Sequence, residues 1–377
     1  MTVQTIAAPY IAIPPASREA YALFRTSPFA PTTPANIRLV QTNATGAIDI
    51  LKILTAFAHG AEGVVVAWTG RASANHKQRL LVLRELLHFV GCQRERLAVI
   101  EGAPDEAKER AFSERVRMLG PWNFGSQPVF DMNETLPAHA VSAHASAATT
   151  RALQNLAAEL LKSAKVDGVL AWGQAAREIQ PAIARSPEQA HRLFAGGRGY
   201  PNLATLLETV ADENMAVVVR PAELACIDAL REEGIHLPGH LFLIGQGVPQ
   251  ERCDVLLPET NDVRGALSGA ELAAIEQWPI EERAAFWGAQ FAQCVHCDGC
   301  RSACPFQCYT NCLGDALAPH NGHAATAKQT ACAHLACAAR LAGHCVECES
   351  CSGACPQAVP LYLLHQKANQ ALTALAR

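Results

Sequence analysis

The stretch CVHCDGCRSACP occupies residues 294–305, and CVECESCSGACP occupies residues 345–356. Both stretches, the first and the second motif below, have the spacing C-x2-C-x2-C-x3-C-P. A short C-x2-C-x2-C loop gives three thiolates to one cubane, and the fourth cysteine ligates the neighbouring cluster. The repeat therefore predicts two 4Fe–4S clusters. We expect one on Cys294, Cys297, Cys300 and Cys355, and the other on Cys345, Cys348, Cys351 and Cys304.

Zinc and disulfide bonds are the alternatives for such a cysteine pattern. A structural zinc ion takes four ligands and needs neither a third cysteine at the same step nor a trailing Cys-Pro. A disulfide framework is typical of short secreted chains. This chain has 377 residues, and twelve of its 15 cysteines lie between positions 294 and 355. The pattern therefore favours iron–sulfur chemistry over both.

Four more cysteines lie between the motifs, namely Cys308, Cys312, Cys332 and Cys337. Four thiols are enough for a third metal centre. Buried cysteine also serves as a small hydrophobic side chain. A helix carrying Cys332 and Cys337 would space them by five residues, which is irregular for a shared ligand site. The sequence leaves both interpretations open.

Composition narrows the class of protein. Hydrophobic residues make up 50% and charged residues 18% of the chain, which is enough apolar material for a sizeable core. A net charge of −4 gives no hint of nucleic-acid binding, which usually shows as a basic face, so we expect none. No apolar run has the length of a membrane span, and the N-terminus lacks a basic segment followed by an apolar one. We therefore expect a cytoplasmic protein.

Strands alternate with helices upstream of the cysteines. NIRLVQT (36–42) and AEGVVVAW (61–68) are typical of strands flanking an amphipathic helix, and MAVVVR (215–220) predicts a strand further on. This alternation predicts an α/β fold class, with two small open parallel-sheet α/β domains followed by a helical, dicluster ferredoxin-like iron–sulfur domain. The expected parts are an N-terminal arm at 1–35, an α/β domain at 36–120, a linker at 121–147, a second α/β domain at 148–285 and the iron–sulfur domain at 286–377.

The cysteine region resembles the C-terminal half of the formate dehydrogenase and deazaflavin-dependent hydrogenase beta subunit family. The likeness rests on both motifs, on Cys308 and Cys312 after the first one, and on Ala342–Cys345 and Val359–Leu361 around the second. The resemblance extends to the α/β segment before the clusters, which can bind FAD in relatives. Where that family has cysteines, this chain has Arg220-Pro221-Ala222-Glu223 and Ile244-Gly245-Gln246-Gly247.

The first α/β stretch resembles the delta subunit of methyl-viologen-reducing hydrogenase, on Thr45–Asp49 and on Gly60–Val64. That family holds a 2Fe–2S cluster on cysteines at two places. This chain has Ala44 at one place and the cysteine-free loop 68–73 at the other. The resemblance therefore implies a domain that keeps the fold and lacks the cluster. It would be a docking module, with an inert structural domain as the alternative.

These observations predict an iron–sulfur electron-transfer subunit of a cytosolic oxidoreductase complex. The expected partners are other oxidoreductase subunits: a flavoprotein or heterodisulfide-reductase-like protein, and a hydrogenase or formate dehydrogenase catalytic subunit. One alternative is a flavin-binding catalytic beta subunit that oxidises a hydride donor, although GGRGYPN (196–202) lacks the dinucleotide-binding spacing. A further alternative is an assembly scaffold stabilised by its clusters. Whether the chain is itself an enzyme is left open, and no catalytic residue is predicted.

Overall fold

The computed structural model describes residues 24–26, 37–41, 50–68, 74–101, 106–124, 146–175, 178–197, 200–258, 268–306 and 325–375. They form an α/β protein, as the alternation of strands and helices predicted. We call residues 24–124 the first unit, residues 146–258 the second unit and residues 268–375 the helical unit.

The first unit is built on a four-stranded sheet among the described residues, in the order β1-β2-β3-β4. Its strands are β1 (Phe24–Thr26), β2 (Ile37–Gln41), β3 (Gly63–Trp68) and β4 (Leu97–Glu101). Its helices are α1 (Ile50–Ala58), α2 (Ala74–Phe89) and α3 (Glu106–Met118). Strands β2, β3 and β4 are parallel, as expected, whereas β1 is antiparallel to β2. This three-residue edge strand lies within the predicted arm and is too short to show a periodic pattern.

The second unit has a sheet in the order β10-β9-β8-β5-β6, with β7 also paired to β5. Its strands are β5 (Gly168–Ala175), β6 (Glu178–Ala184), β7 (Leu193–Phe194), β8 (Met215–Val219), β9 (Leu241–Gly245) and β10 (Val255–Leu256). Helix α4 (Ala147–Lys162) precedes the sheet and α5 (Pro221–Glu232) follows β8. The antiparallel strand β6 departs from the parallel pattern. Its Pro181 weakens the strand signal because proline cannot donate to a sheet ladder.

The helical unit carries the cysteine motifs on short helices between long ones. Its elements are α6 (Ser268–Gln277), α7 (Ile280–Ala292), α8 (Gly299–Ser302), α9 (Ala327–Leu341), α10 (Ser350–Gly353) and α11 (Leu361–Leu375). The sequence GAELAAIEQWPIEERAAFWGAQFAQ (269–293) has the pattern of one helical stretch, but the structure divides it in two at Pro279, which stands just before α7. Proline disfavours helical geometry at the residue before it, so α6 ends there.

One hydrophobic core joins the first unit to the helical unit. Helix α2 packs on α9 and α11, and α1 packs on α9. Phe57, Leu86, Trp287 and Leu335 are among its fully buried members. The second unit has a core of its own around Trp172 and β8. The helical unit is therefore held between two α/β units, sharing a core with one and meeting the other at the second motif.

Candidate metal centres

The two motifs adopt the same unusual backbone. His296 and Asp298 in the first motif have φ values of 52° and 58°, and Glu347 and Glu349 in the second have 55° and 60°. A left-handed conformation costs a non-glycine residue about 1–2 kcal/mol, so four of them at matching positions mark a constrained loop. Such loops turn backbone N–H groups toward a concave centre, which is a common setting for iron–sulfur and anion sites.

The first motif gathers a group of four thiols that includes one from the second. Cys294, Cys297, Cys300 and Cys355, called the first cysteine group, line one cavity of about 70 Å³. Burial raises the pKa of the Cys300 thiol to about 12, and the thiols of the other three members add to the shift. The structure thus brings Cys355 across to the first motif, to the place where the ligand exchange was expected.

The second cysteine group is the converse arrangement, with Cys345, Cys348 and Cys351 joined by Cys304 of the first motif. Burial raises the pKa of the Cys351 thiol well above its usual range, and the thiols of the other members raise it further. Cys300 of the first group contributes to the same shift. The two groups are therefore neighbours, which is the arrangement that passing an electron between two clusters would need.

Close contact between the short helices α8 and α10 holds the groups side by side. Gly299, the first residue of α8, lies so near α10 that a Cβ there would be 2.8 Å from the carbonyl oxygen of Ala354. The matching residue of the second motif is Ser350, which is fully buried and donates its hydroxyl to the carbonyl of Tyr200 at 3.4 Å. Glycine is thus required where the motifs touch, and serine fits where the second motif touches the second unit.

The two groups differ in their exposure. In the first motif, Cys297 is exposed and Val295 keeps 57% of its surface accessible. In the second motif, Val346 packs against the core of the second unit. Just before that motif, His344 Nδ1 lies 3.1 Å from Glu233, the residue that follows α5. The first group therefore faces outward, and the second group lies beneath the second unit.

Backbone amides donate to thiol sulfur at the same place in both motifs. The amide of Glu347 lies 3.4 Å from Cys345 Sγ. A hydrogen bond from the amide of His296 lowers the pKa of Cys294, although burial of that thiol raises it more. Hydrogen bonds to cluster sulfur tune reduction potential, so the loops suit an iron–sulfur group. Among the described residues, no three His, Cys, Asp or Glu side chains converge on a point suited to one metal ion.

The four intervening cysteines do not share one environment. Cys308 and Cys312 lie outside the described residues. Cys332 is fully buried in the core shared by the first and helical units, near enough to Cys92 for that thiol to raise its pKa. Cys337 lines the cavity of the first cysteine group instead. A third centre stays a prediction that the described residues do not test.

Three side chains near the groups were not among the predicted site residues. His334 lines the first cavity, with Nε2 3.8 Å from Cys294 Sγ and its ring stacked on Phe291. Burial lowers the pKa of His334 to about 4 and keeps the imidazole neutral at pH 7. Glu223 of α5 pairs with Arg220, the residue just before α5, and raises its pKa, and Cys348 and Glu349 of the second motif raise it further. Contacts across so many residues of sequence are not readable from spacing.

The glycine-rich turn at 196–202 is bound by the protein itself where it is described. Gln246 accepts from the Gly196 amide at 2.8 Å and donates to the Gly196 carbonyl at 2.7 Å. Arg220 donates to the carbonyl of Gly197 at 2.5 Å. These backbone groups, which a cofactor phosphate or ring could otherwise use, already have partners.

Residues 25–120 match the family model of the methyl-viologen-reducing hydrogenase delta subunit. This part of the chain, about a quarter of its length, is similar to that family, as its sequence landmarks predicted. Ala44 and the loop 69–73, where that family was expected to carry cysteines, lie outside the described residues. No curated protein matches the chain. Within the described residues, no helix combines the length and hydrophobicity needed to cross a membrane.

Proposed function

We propose that this chain is an iron–sulfur electron-transfer subunit of a hydrogenase-related oxidoreductase complex, and that each cysteine group holds one 4Fe–4S cluster. The observation that carries the proposal is the exchange of Cys355 and Cys304 between two motifs of matching backbone. The hydrogenase-related domain at residues 25–120 supports the class of complex.

Each cluster would supply one-electron reduction and oxidation. The residues of the chain would do the rest: eight thiolates bind, and amides such as that of Glu347 donate to sulfur. Apolar residues such as Val359 and Leu361 line the first cavity, where they would limit the contact of a cluster with water. The exposed first motif is the natural side for exchange with a partner subunit, since the second motif is covered by the second unit. A flavoprotein or a hydrogenase or formate dehydrogenase catalytic subunit would then carry the two-electron chemistry.

The test is the composition of anaerobically purified protein, measured as iron, acid-labile sulfide and flavin, with EPR after dithionite reduction. We expect about eight irons and eight sulfides per chain, no flavin, and two interacting reduced centres. About twelve irons would add the third centre. Stoichiometric flavin would favour the catalytic beta subunit, and clusters that resist reduction would favour the scaffold. Zinc in place of iron would refute the proposal.

Substitution of a ligand separates the groups. Cys297→Ala should lose about half of the iron and abolish electron transfer to an artificial acceptor. Cys253→Ala is the matched control, since Cys253 is a half-buried thiol of the second unit outside both groups. Full iron content and reducibility in Cys297→Ala would show that the first group is not a cluster site.

A further inference from the structure

A buried ion pair lies at the start of α5. The side chain of Arg220 is 7% exposed and that of Glu223 is fully buried. The guanidinium donates to both carboxylate oxygens, from Nη2 at 2.5 Å and from Nε at 2.8 Å. A buried ion pair is often no more stabilising than apolar side chains of the same size, because both charges lose their water. Its presence therefore needs an explanation other than stability.

The guanidinium adjoins the second motif through one shared atom. Arg220 Nη2 donates to the carbonyl oxygen of Tyr200 at 3.3 Å, and Ser350 Oγ donates to the same oxygen at 3.4 Å. Ser350 stands between Cys348 and Cys351 in the sequence. The carboxylate of Glu223 is held by the side chain and amide of Arg220. Counted in hydrogen bonds, Arg220 is therefore nearer than Glu223 to the second cysteine group.

Arg220 is fixed in this position. Its Nη1 donates to the Gly197 carbonyl at 2.5 Å, and its guanidinium carbon lies 4.5 Å from the centre of the Trp172 ring. Trp172 is fully buried, and its indole N–H donates to the carbonyl of Pro201 at 2.8 Å. The charge cannot turn toward water, so it acts through a medium of low polarity, where charges influence each other more strongly.

We propose that the Arg220–Glu223 pair sets the reduction potential of the cluster on the second cysteine group, with Arg220 raising the potential and Glu223 lowering it. This inference rests on the proposed function. Reduction adds one negative charge to a cluster, and a fixed cation nearby favours the reduced form. The pKa of Arg220 is raised on balance, because burial lowers it whereas Glu223, and to a smaller extent the charges of Cys348 and Glu349, raise it. The effect of Cys348 and Glu349 is the same attraction seen from the arginine.

The experiment is an EPR-monitored redox titration of holoprotein carrying Arg220→Gln or Glu223→Gln. We expect one of the two cluster potentials to move in opposite directions in the two variants, downward without the arginine and upward without the glutamate. The ratio of reduced to oxidised cluster at fixed potential should change about tenfold, which is 59 mV for one electron. A purely structural role would disturb the site in the same direction in both variants. Arg220→Lys keeps the charge and should restore most of the potential.

Arg252→Gln is the matched control. Arg252 pairs at 2.6 Å with Asp228, which belongs to α5 like Glu223 but lies on the solvent side. Its potentials should equal those of the wild type. If Arg220→Gln does not fold, the variant with both glutamines replaces it, and its potential should lie below that of Glu223→Gln alone. Unchanged potentials, or shifts of the same sign, would overturn this inference and leave the proposed function intact. Wild-type protein that takes up no iron would overturn both this inference and the proposed function.

Discussion

Two glycines offer a matched test of how the first unit is attached to the helical unit. Gly60 follows α1 and Gly91 follows α2, with φ values of 90° and 87°. Both end their helix in the same way, since Ala61 donates to Ala56 at 3.0 Å and Cys92 donates to Leu87 at 2.9 Å. Glycine is preferred at this position because it carries no Cβ.

The surroundings of the two glycines differ. A Cβ at Gly60 would meet nothing within 4 Å, whereas a Cβ at Gly91 would lie 2.3 Å from the backbone nitrogen of Ala284 in α7. Gly60→Ala should therefore cost about 1–2 kcal/mol, the strain of a left-handed alanine. Gly91→Ala should cost a further 1–3 kcal/mol or so, because α7 must move away from the first unit.

The assay is the rate of unfolding in urea, followed by tryptophan fluorescence, because loss of a cluster would make equilibrium unfolding irreversible. If the contact breaks before the transition state, Gly91→Ala should unfold about 5 to 150 times faster than Gly60→Ala. Equal rates for the two variants would refute the claim that the first unit rests on α7 at this point. Iron content, measured in parallel, shows whether the disturbance reaches the cysteine groups.

Two other changes have defined outcomes. Gly299→Ala should lower iron content, since its Cβ would lie 2.8 Å from the Ala354 carbonyl, whereas Gly269→Ala, with nothing within 4 Å, should keep it; equal iron in both would contradict the close packing of α8 on α10. Burial lowers the pKa of His365 to about 4, below the 6.5 of an exposed histidine, so the unfolded chain binds the proton first as pH falls. The contribution of His365 to stability should be constant above pH 6.5 and fall by about 3 kcal/mol between pH 6.5 and 4. Unfolding in urea should therefore be faster at pH 4 than at pH 6.5, and His365→Leu should reduce this difference in rate. An unchanged pH dependence of the unfolding rate would rule out His365 as a source of it.

The sequence predicts well where the pattern is local. The motif spacing predicts two groups of four cysteines, and the alternation of apolar segments predicts the parallel strands β2, β3 and β8. Both signals lie within a few residues of sequence. The sequence NLATLLETVADE (202–213) has the apolar spacing of a helix, and the structure has a 3-10 helix at Leu203–Val210. It is introduced by Asn202, whose side chain accepts from the Ala204 amide. Apolar spacing over so short a segment does not separate the two kinds of helix.

Contacts between distant segments could not be predicted. The contact between Arg220, Tyr200 and Ser350 forms because the start of α5 packs near the second motif. No residue type in the sequence indicates this contact. The shared core of the first and helical units could not be predicted either, since the sequence of each unit shows only an ordinary apolar face. An apolar face predicts burial without naming what will cover it.

The exchange of Cys355 and Cys304 also bears on the order of events during synthesis. The first cysteine group lacks its fourth thiol until the ribosome has added residue 355, and the second is complete only once residue 351 exists. Both groups are thus completed within four residues of each other, although the first cysteine of the set is made more than fifty residues earlier. Any cofactor that needs all four thiols of a group must therefore be inserted after this point of translation. Until then, the exposed thiols of the first motif must be protected from oxidation.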